Sequence, residues 1–210
     1  MEEKAITPTE SLEIISQMIE STKRRFRLSD GNTLLMWGYL SVAVCVITMF
    51  TVVYAQNNMW HFLWFLIPAI GVPCSIIMDK RAESKCGTTN TYLEKLSSRL
   101  WGFLGLAQFV VAIVCTIFMF KGINIWLLMG LMSFVLVGFA ASVFGLIIKE
   151  NSLIFGGFLS FASGIALIGC RMAGVPITNL TFAILFAASF AAMFIIPGHI
   201  LNHKAKTTSK

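Results

Sequence analysis

Six apolar runs, none containing Asp, Glu, Lys or Arg, set what this chain can fold into. They cover 33–55, 60–78, 100–120, 125–148, 152–170 and 177–197 and are 19 to 24 residues long. A helix needs about 20 residues to cross a hydrocarbon core of about 30 Å. In lipid every backbone N–H and C=O must find a partner within the protein, so only helices and closed barrels can span. Barrel strands alternate apolar and polar residues, whereas these runs are continuous. The sequence therefore predicts an all-α polytopic transmembrane bundle of six spans. Composition agrees: 57% of the residues are apolar and 12% charged, the latter about half the usual share and too few to coat a soluble core.

The net charge of +6 has its explanation in where the cations lie. With a cytosolic N-terminus, fourteen of the sixteen Lys and Arg residues fall on the inside, and Lys121 and Arg171 remain outside. That asymmetry predicts both termini in the cytosol. It also accounts for the basic balance without a nucleic-acid partner. The run Lys23-Arg24-Arg25-Phe26-Arg27 lies just before the first span, where anionic lipid headgroups attract it. Trp37, Trp60, Trp101 and Trp126 lie near span ends and read as interfacial anchors. The first 32 residues are too polar for a cleavable signal peptide. The five cysteines are dispersed, with no C-x-x-C, and read as small apolar fillers rather than a disulfide framework.

The chain divides into an N-terminal amphipathic helix and linker (1–32), a six-helix transmembrane domain (33–201) and a basic tail (202–210). In the first segment, Thr7-Pro8-Thr9-Glu10 combines Pro at the first helical position with a capping box. Acidic residues come early and basic residues late, as the helix dipole favours. Asp30-Gly31 is the expected stop. Leu12, Ile15, Ile19, Thr22 and Phe26, with Met18 beside them, form a stripe at helical spacing that needs a burial partner. They are the candidate partner-docking residues. A second capping box, Thr91-Tyr92-Leu93-Glu94, predicts a helix from Tyr92 that runs unbroken into the third span. Trp37-Gly38-Tyr39-Leu40-Ser41, Trp101-Gly102-Phe103-Leu104-Gly105 and Gly156-Gly157-Phe158-Leu159-Ser160 suggest a weak repeat of three helical hairpins.

Intramembrane catalysis or proton relay needs carboxylates, a nucleophile–base pair or metal ligands, and the spans contain no carboxylate. The expectation is a chain with no enzymatic activity, cofactor or metal, and its residues identify no small-molecule substrate. The candidate intramembrane polar site is Gln108, with the Pro68/Pro73 kink of the second span. Gln108 reads as an interhelical hydrogen bond or, alternatively, as the lining of a transport path. His199 and His203 form H-x-x-x-H, but no Glu follows the first His, so the pair reads as part of a solvated basic tail. Small-residue stripes at Gly156/Ser160/Gly164, at Ala183/Ala187/Ala191 and at Gly138/Ser142/Gly145 predict that spans four to six pack tightest.

The opening Ser11-Leu12-Glu13-Ile14-Ile15-Ser16-Gln17-Met18-Ile19, the basic run before Trp37-Gly38, and the ending Ile195-Ile196-Pro197-Gly198-His199-Ile200-Leu201-Asn202 resemble an uncharacterised family of small bacterial six-span integral membrane proteins. The resemblance covers essentially the whole chain. It implies a bacterial cytoplasmic membrane and supplies no activity or site residues. The reading that results is a non-enzymatic membrane-anchored interaction or regulatory module presenting a cytosolic helix. The alternative is a small transporter or channel.

Overall fold

The computed structural model describes the backbone of residues 8–86, 92–121 and 125–207, and the side chains of Glu13 and of 31–57, 59–81, 95–121 and 125–207. These residues form helices α1 (Pro8–Ala55), α2 (Leu66–Cys86), α3 (Tyr92–Phe120), α4 (Trp126–Ile148), α5 (Asn151–Met172), α6 (Asn179–Phe190) and α7 (Ile196–Thr207). A 3₁₀ segment, Asn58–Phe65, precedes α2, and a π-helical turn, Ala191–Ile195, joins α6 to α7. Six helical stretches are long and apolar enough to cross a membrane, and α6, the π turn and α7 together supply the sixth. The protein is an all-α bundle built for a bilayer.

Local chemistry explains several boundaries. Asn57 caps the 3₁₀ segment by accepting a hydrogen bond from the Met59 N–H at 2.9 Å. Thr178 caps α6 through the Thr181 N–H at 3.1 Å. Lys149 ends α4 in the left-handed conformation at φ 57°. Its neighbour Glu150 donates its N–H back to the Gly145 carbonyl at 2.9 Å. This is the Schellman arrangement with lysine where glycine is usual, and it folds α5 straight back on α4. α1 is described from Pro8 and α3 from Tyr92, and α3 runs unbroken into the third span; Thr7 and Thr91 lie outside the described residues.

The one expected stop is absent, and a second Gly-containing pair does not end a helix either. Asp30-Gly31 does not end a helix, because α1 runs through it for 48 residues. The sixth span does not end at Pro197-Gly198, because α7 continues to Thr207. Pro197 has no N–H for the Met193 carbonyl and its ring crowds that position. The turn before it widens, and the Ile196 N–H reaches back to the Ala191 carbonyl. Gly31 and Gly198 serve a close crossing rather than a cap. A Cβ on Gly198 would lie 3.0 Å from the Gly31 carbonyl oxygen, and a Cβ on Gly31 would strike the Asn202 side chain.

The core joins spans one, four, five and six. Leu34, Cys45, Leu131, Phe134, Phe144, Leu153, Met193 and Phe194 are buried there. Phe182, Phe186, Phe190 and Phe194 form a ladder at i, i+4 spacing, with Phe186 stacked on Phe190 at 4.0 Å. The predicted tight packing of spans four to six is present, but the first span belongs to it too, and the closest pairs are α4 with α5 and α1 with α7. This pairing does not follow three equivalent hairpins. The repeat's glycines also differ: Gly38 and Gly157 abut neighbouring helices, while a Cβ on Gly102 would meet nothing within 4 Å. Of the small stripes, Gly156, Ser160 and Gly164 are buried as expected, whereas Ala183, Ala187 and Ala191 are half-buried beside the phenylalanine ladder.

The four tryptophans read as interfacial anchors, of five in the chain, do not share one environment. Trp60 is exposed, but Trp126 is buried. Trp37 lies over Gly71 of α2 and donates its indole N–H to Ser75 Oγ at 3.0 Å. Trp101 packs on Phe144 and Phe194. An indole ring offers more packing area than any other side chain, and three of the four use it between helices. Cys45 and Cys115 are buried fillers, while Cys170 is exposed; the side chain of Cys86 lies outside the described residues.

Candidate functional site

Gln108 sits on α3 and faces α4. Its Nε2 donates to Ser133 Oγ at 2.7 Å, and Ser133 in turn donates to the Met129 carbonyl at 3.0 Å. This is the interhelical hydrogen bond expected of a lone amide in a span. The amide oxygen is buried without a hydrogen-bond partner. Pro68 and Pro73 lie on the exposed surface of α2. Pro68 falls in the first turn after the 3₁₀ segment and Pro73 inside α2. α2 packs on α1, and α3 packs on α4. Gln108 thus bonds toward α4, while Pro68 and Pro73 lie on the helix that packs on α1.

The side chains of Leu12, Ile15, Met18, Ile19, Thr22 and Phe26 lie outside the described residues. Their backbone belongs to α1 and is helical throughout. The stripe thus lies on a helix continuous with the first span. His61, beside Trp60, turns inward and stacks on Trp126 with ring centroids 5.7 Å apart.

Polar side chains do gather at the end of the bundle where α7 finishes. Glu150, in the turn between α4 and α5, is buried, and both its carboxylate oxygens accept from Lys204 Nζ, at 2.9 and 2.8 Å. Ser152 Oγ donates to the same carboxylate at 3.0 Å. Asn202 Nδ2 donates to Asn32 Oδ1 at 2.8 Å. His199 Nε2 pairs with the Tyr39 hydroxyl at 2.9 Å. Residues 202–207 thus continue the helix, with Leu201 and Ala205 buried and His203, Lys204, Lys206 and Thr207 exposed. His199 and His203 are exposed, one bonded to Tyr39 and the other's carbonyl accepting from Thr207. Among the described residues no three His, Cys, Asp or Glu side chains come together as metal ligands.

Sequence reasoning passed over Glu150 and Lys204 because each counts as an ordinary loop or tail charge. The one local signal is that residues 149–150 leave no length for a loop, so a charge there must sit against the neighbouring helix ends. No family model, no curated protein and no solved structure matches this chain.

Proposed function

We propose that this protein is a non-enzymatic interaction or regulatory module of a bacterial cytoplasmic membrane, with both termini in the cytosol, that presents its N-terminal helix to a protein partner or to a second copy of itself. The observation that carries this reading is the unbroken helix α1, Pro8–Ala55. Its apolar span begins at Gly31, so the stripe-bearing half extends the same helix by about 35 Å at about 1.5 Å per residue. A tether would have no need of such continuity. A rigid helix couples whatever binds the stripe to the first span, and through the Gly31–Gly198 crossing to α7. The filling of the core by phenylalanine supports the same reading, since it leaves the spans' interior to packing. The resemblance to a family of small six-span bacterial membrane proteins supports the location.

Ile15→Asp with Ile19→Asp is expected to abolish partner capture or self-association while membrane insertion stays intact. Crosslinking and pull-down of wild type and double variant at matched membrane levels measure this. An unchanged partner profile would reject the docking role. It would shift the reading to a small transporter with a path near Gln108, where a buried amide oxygen on the third span is left unpaired. Topology is tested separately. Reporters fused after Asn57, Gly122 and Gly174 should read outside, and those after Gly87 and Lys210 inside. An outside signal at Lys210 contradicts the six-span arrangement.

A further inference from the structure

The 3₁₀ segment Asn58–Phe65 joins two apolar clusters at one end of the bundle. With three residues per turn, its side chains repeat at i and i+3. Phe62 and Phe65 meet Trp126 edge-on, with ring centroids 5.2 and 6.4 Å away. Trp64 turns instead to Phe182 and Phe186 of α6. The segment therefore links the small core of α3 and α4, built on Ala112, Cys115, Trp126 and Met129, to the main core. His61 belongs to this link. Its ring lies nearly parallel to the Trp126 indole, at 24° and 5.7 Å. Its Nδ1 is buried and finds no hydrogen-bond partner among the described residues.

We propose that His61 is an acid-sensitive latch: when it takes up a proton, its ring withdraws from Trp126 and the 3₁₀ segment loosens from the ends of α3 and α4. A neutral imidazole suits the packed position, with its hydrogen on Nε2 and Nδ1 bare. An imidazolium carries a hydrogen on both nitrogens, and the second would be buried with nothing to accept it. The face of Trp126 attracts a cation, but it lies against the plane of the ring, whereas the Nδ1–H bond points along that plane. No carboxylate is at hand, since the sequence has no Asp or Glu between Gly31 and Met78 or between Lys95 and Lys149. On the elements around the segment, the titratable groups away from the charged end are Cys45 and Tyr54 of α1, Cys74 of α2, Cys115 of α3 and Lys121 just past it; α4 and α6 have none. Thiols and phenols are uncharged near neutral pH and Lys121 is a cation, so none of these groups stabilises a second positive charge. The sign follows. The packed ring is neutral, so withdrawal and proton uptake go together. A free histidine titrates at about pH 6.5, and below that the open form gains about tenfold in population per pH unit. This inference does not rest on the partner-docking role of the N-terminal helix.

The test is amide hydrogen exchange of the full chain in neutral detergent micelles at about pH 7.5 and about pH 5.5. The comparison is with His61→Phe, which keeps a ring against Trp126 and cannot become charged. Reading both proteins at the same pH cancels the intrinsic pH dependence of exchange. Relative to His61→Phe, residues 58–65 and 126–129 of wild type should exchange about tenfold faster at the lower pH than at the higher. Residues 166–172, the last turns of α5, should keep one ratio at both. His203→Gln should behave like wild type, which separates His61 from the histidines of α7. If His61→Phe does not fold, wild type alone decides, through exchange of 58–65 divided by exchange of 166–172 at each pH. A ratio for 58–65 that stays constant between the two pH values would overturn the proposal, as would an acid-induced gain shared equally by 166–172.

Discussion

Gly157→Leu is expected to lower the denaturation midpoint in detergent by about 10 °C, corresponding to on the order of 3 kcal/mol. Even the Cβ of a larger residue would lie 2.6 Å from the Ser142 backbone nitrogen and 2.7 Å from the Gly138 carbonyl oxygen. These are backbone atoms of the facing helix, which no rotamer change can move aside. The whole of α4 would have to retreat from α5, along the most extensive helix contact among the described residues. Gly105→Leu on α3 is the matched control, since a Cβ there meets nothing within 4 Å. Its effect should stay within about 0.5 kcal/mol, or be slightly favourable through helix propensity. Ser160→Leu, at a fully buried position whose hydroxyl donates to the Phe134 carbonyl at 3.3 Å, should cost more than Val111→Leu at a half-buried position of α3. Similar midpoint losses at Gly157 and Gly105 would refute the assigned crossing.

The second large effect concerns the carboxylate under α7. Lys204→Ala should destabilise the protein by about 1–2 kcal/mol. Removing one partner of a fully buried pair costs about 3–5 kcal/mol. Here the Glu150 side chain is 8% exposed but that of Lys204 is 51% exposed, so water replaces part of what the ammonium supplied. A double-mutant cycle with Glu150→Ala and Lys204→Ala, read by the same denaturation assay, should show coupling of roughly 1 kcal/mol. Because the pair ties the end of the sixth span to the α4–α5 turn, Lys204→Ala should also increase proteolysis after Leu201. Strictly additive single variants with unchanged proteolysis would mean that the ion pair contributes nothing to holding α7 down.

Both effects turn on features of unequal legibility. The glycines of spans four and five could be picked out as small-residue stripes, because helices in lipid can only approach closely where side chains are small. Gly157 escaped that reading. It lies one residue beside the Gly156 stripe, and on a helix one residue is a rotation of about 100°. Gly156 faces Ala192 of the π turn, while Gly157 faces α4. One helix thus carries two adjacent crossing surfaces, and a single stripe describes only one of them. Gln108 was legible as a hydrogen-bonding amide, but not its partner, since several serines and threonines on other spans were equally eligible. Asp30-Gly31 and Pro197-Gly198 carry the residue types of helix ends, yet both lie where α1 and α7 cross. Glycine is needed there for close approach rather than for a left-handed turn.

What the sequence determined by itself is the solvent of each segment. Transfer of a helix into lipid depends on its own side chains and sums along the chain, so six spans, their connections and the bias of positive charge could be read residue by residue. Which helices meet is a different quantity. Lipid tails are as apolar as the helix surfaces they cover, so no contrast in hydrophobicity marks a buried face in these spans. The third span is at least as apolar as the first, yet about 11% of its most apolar stretch is buried against 39% for the first. Gly102 and Gly157 occupy the same place in a repeated motif, and one borders open space while the other lies against a backbone. Only the fitting of whole helix surfaces against one another separates such cases. That fitting depends on shape at six helices at once, which no single segment encodes.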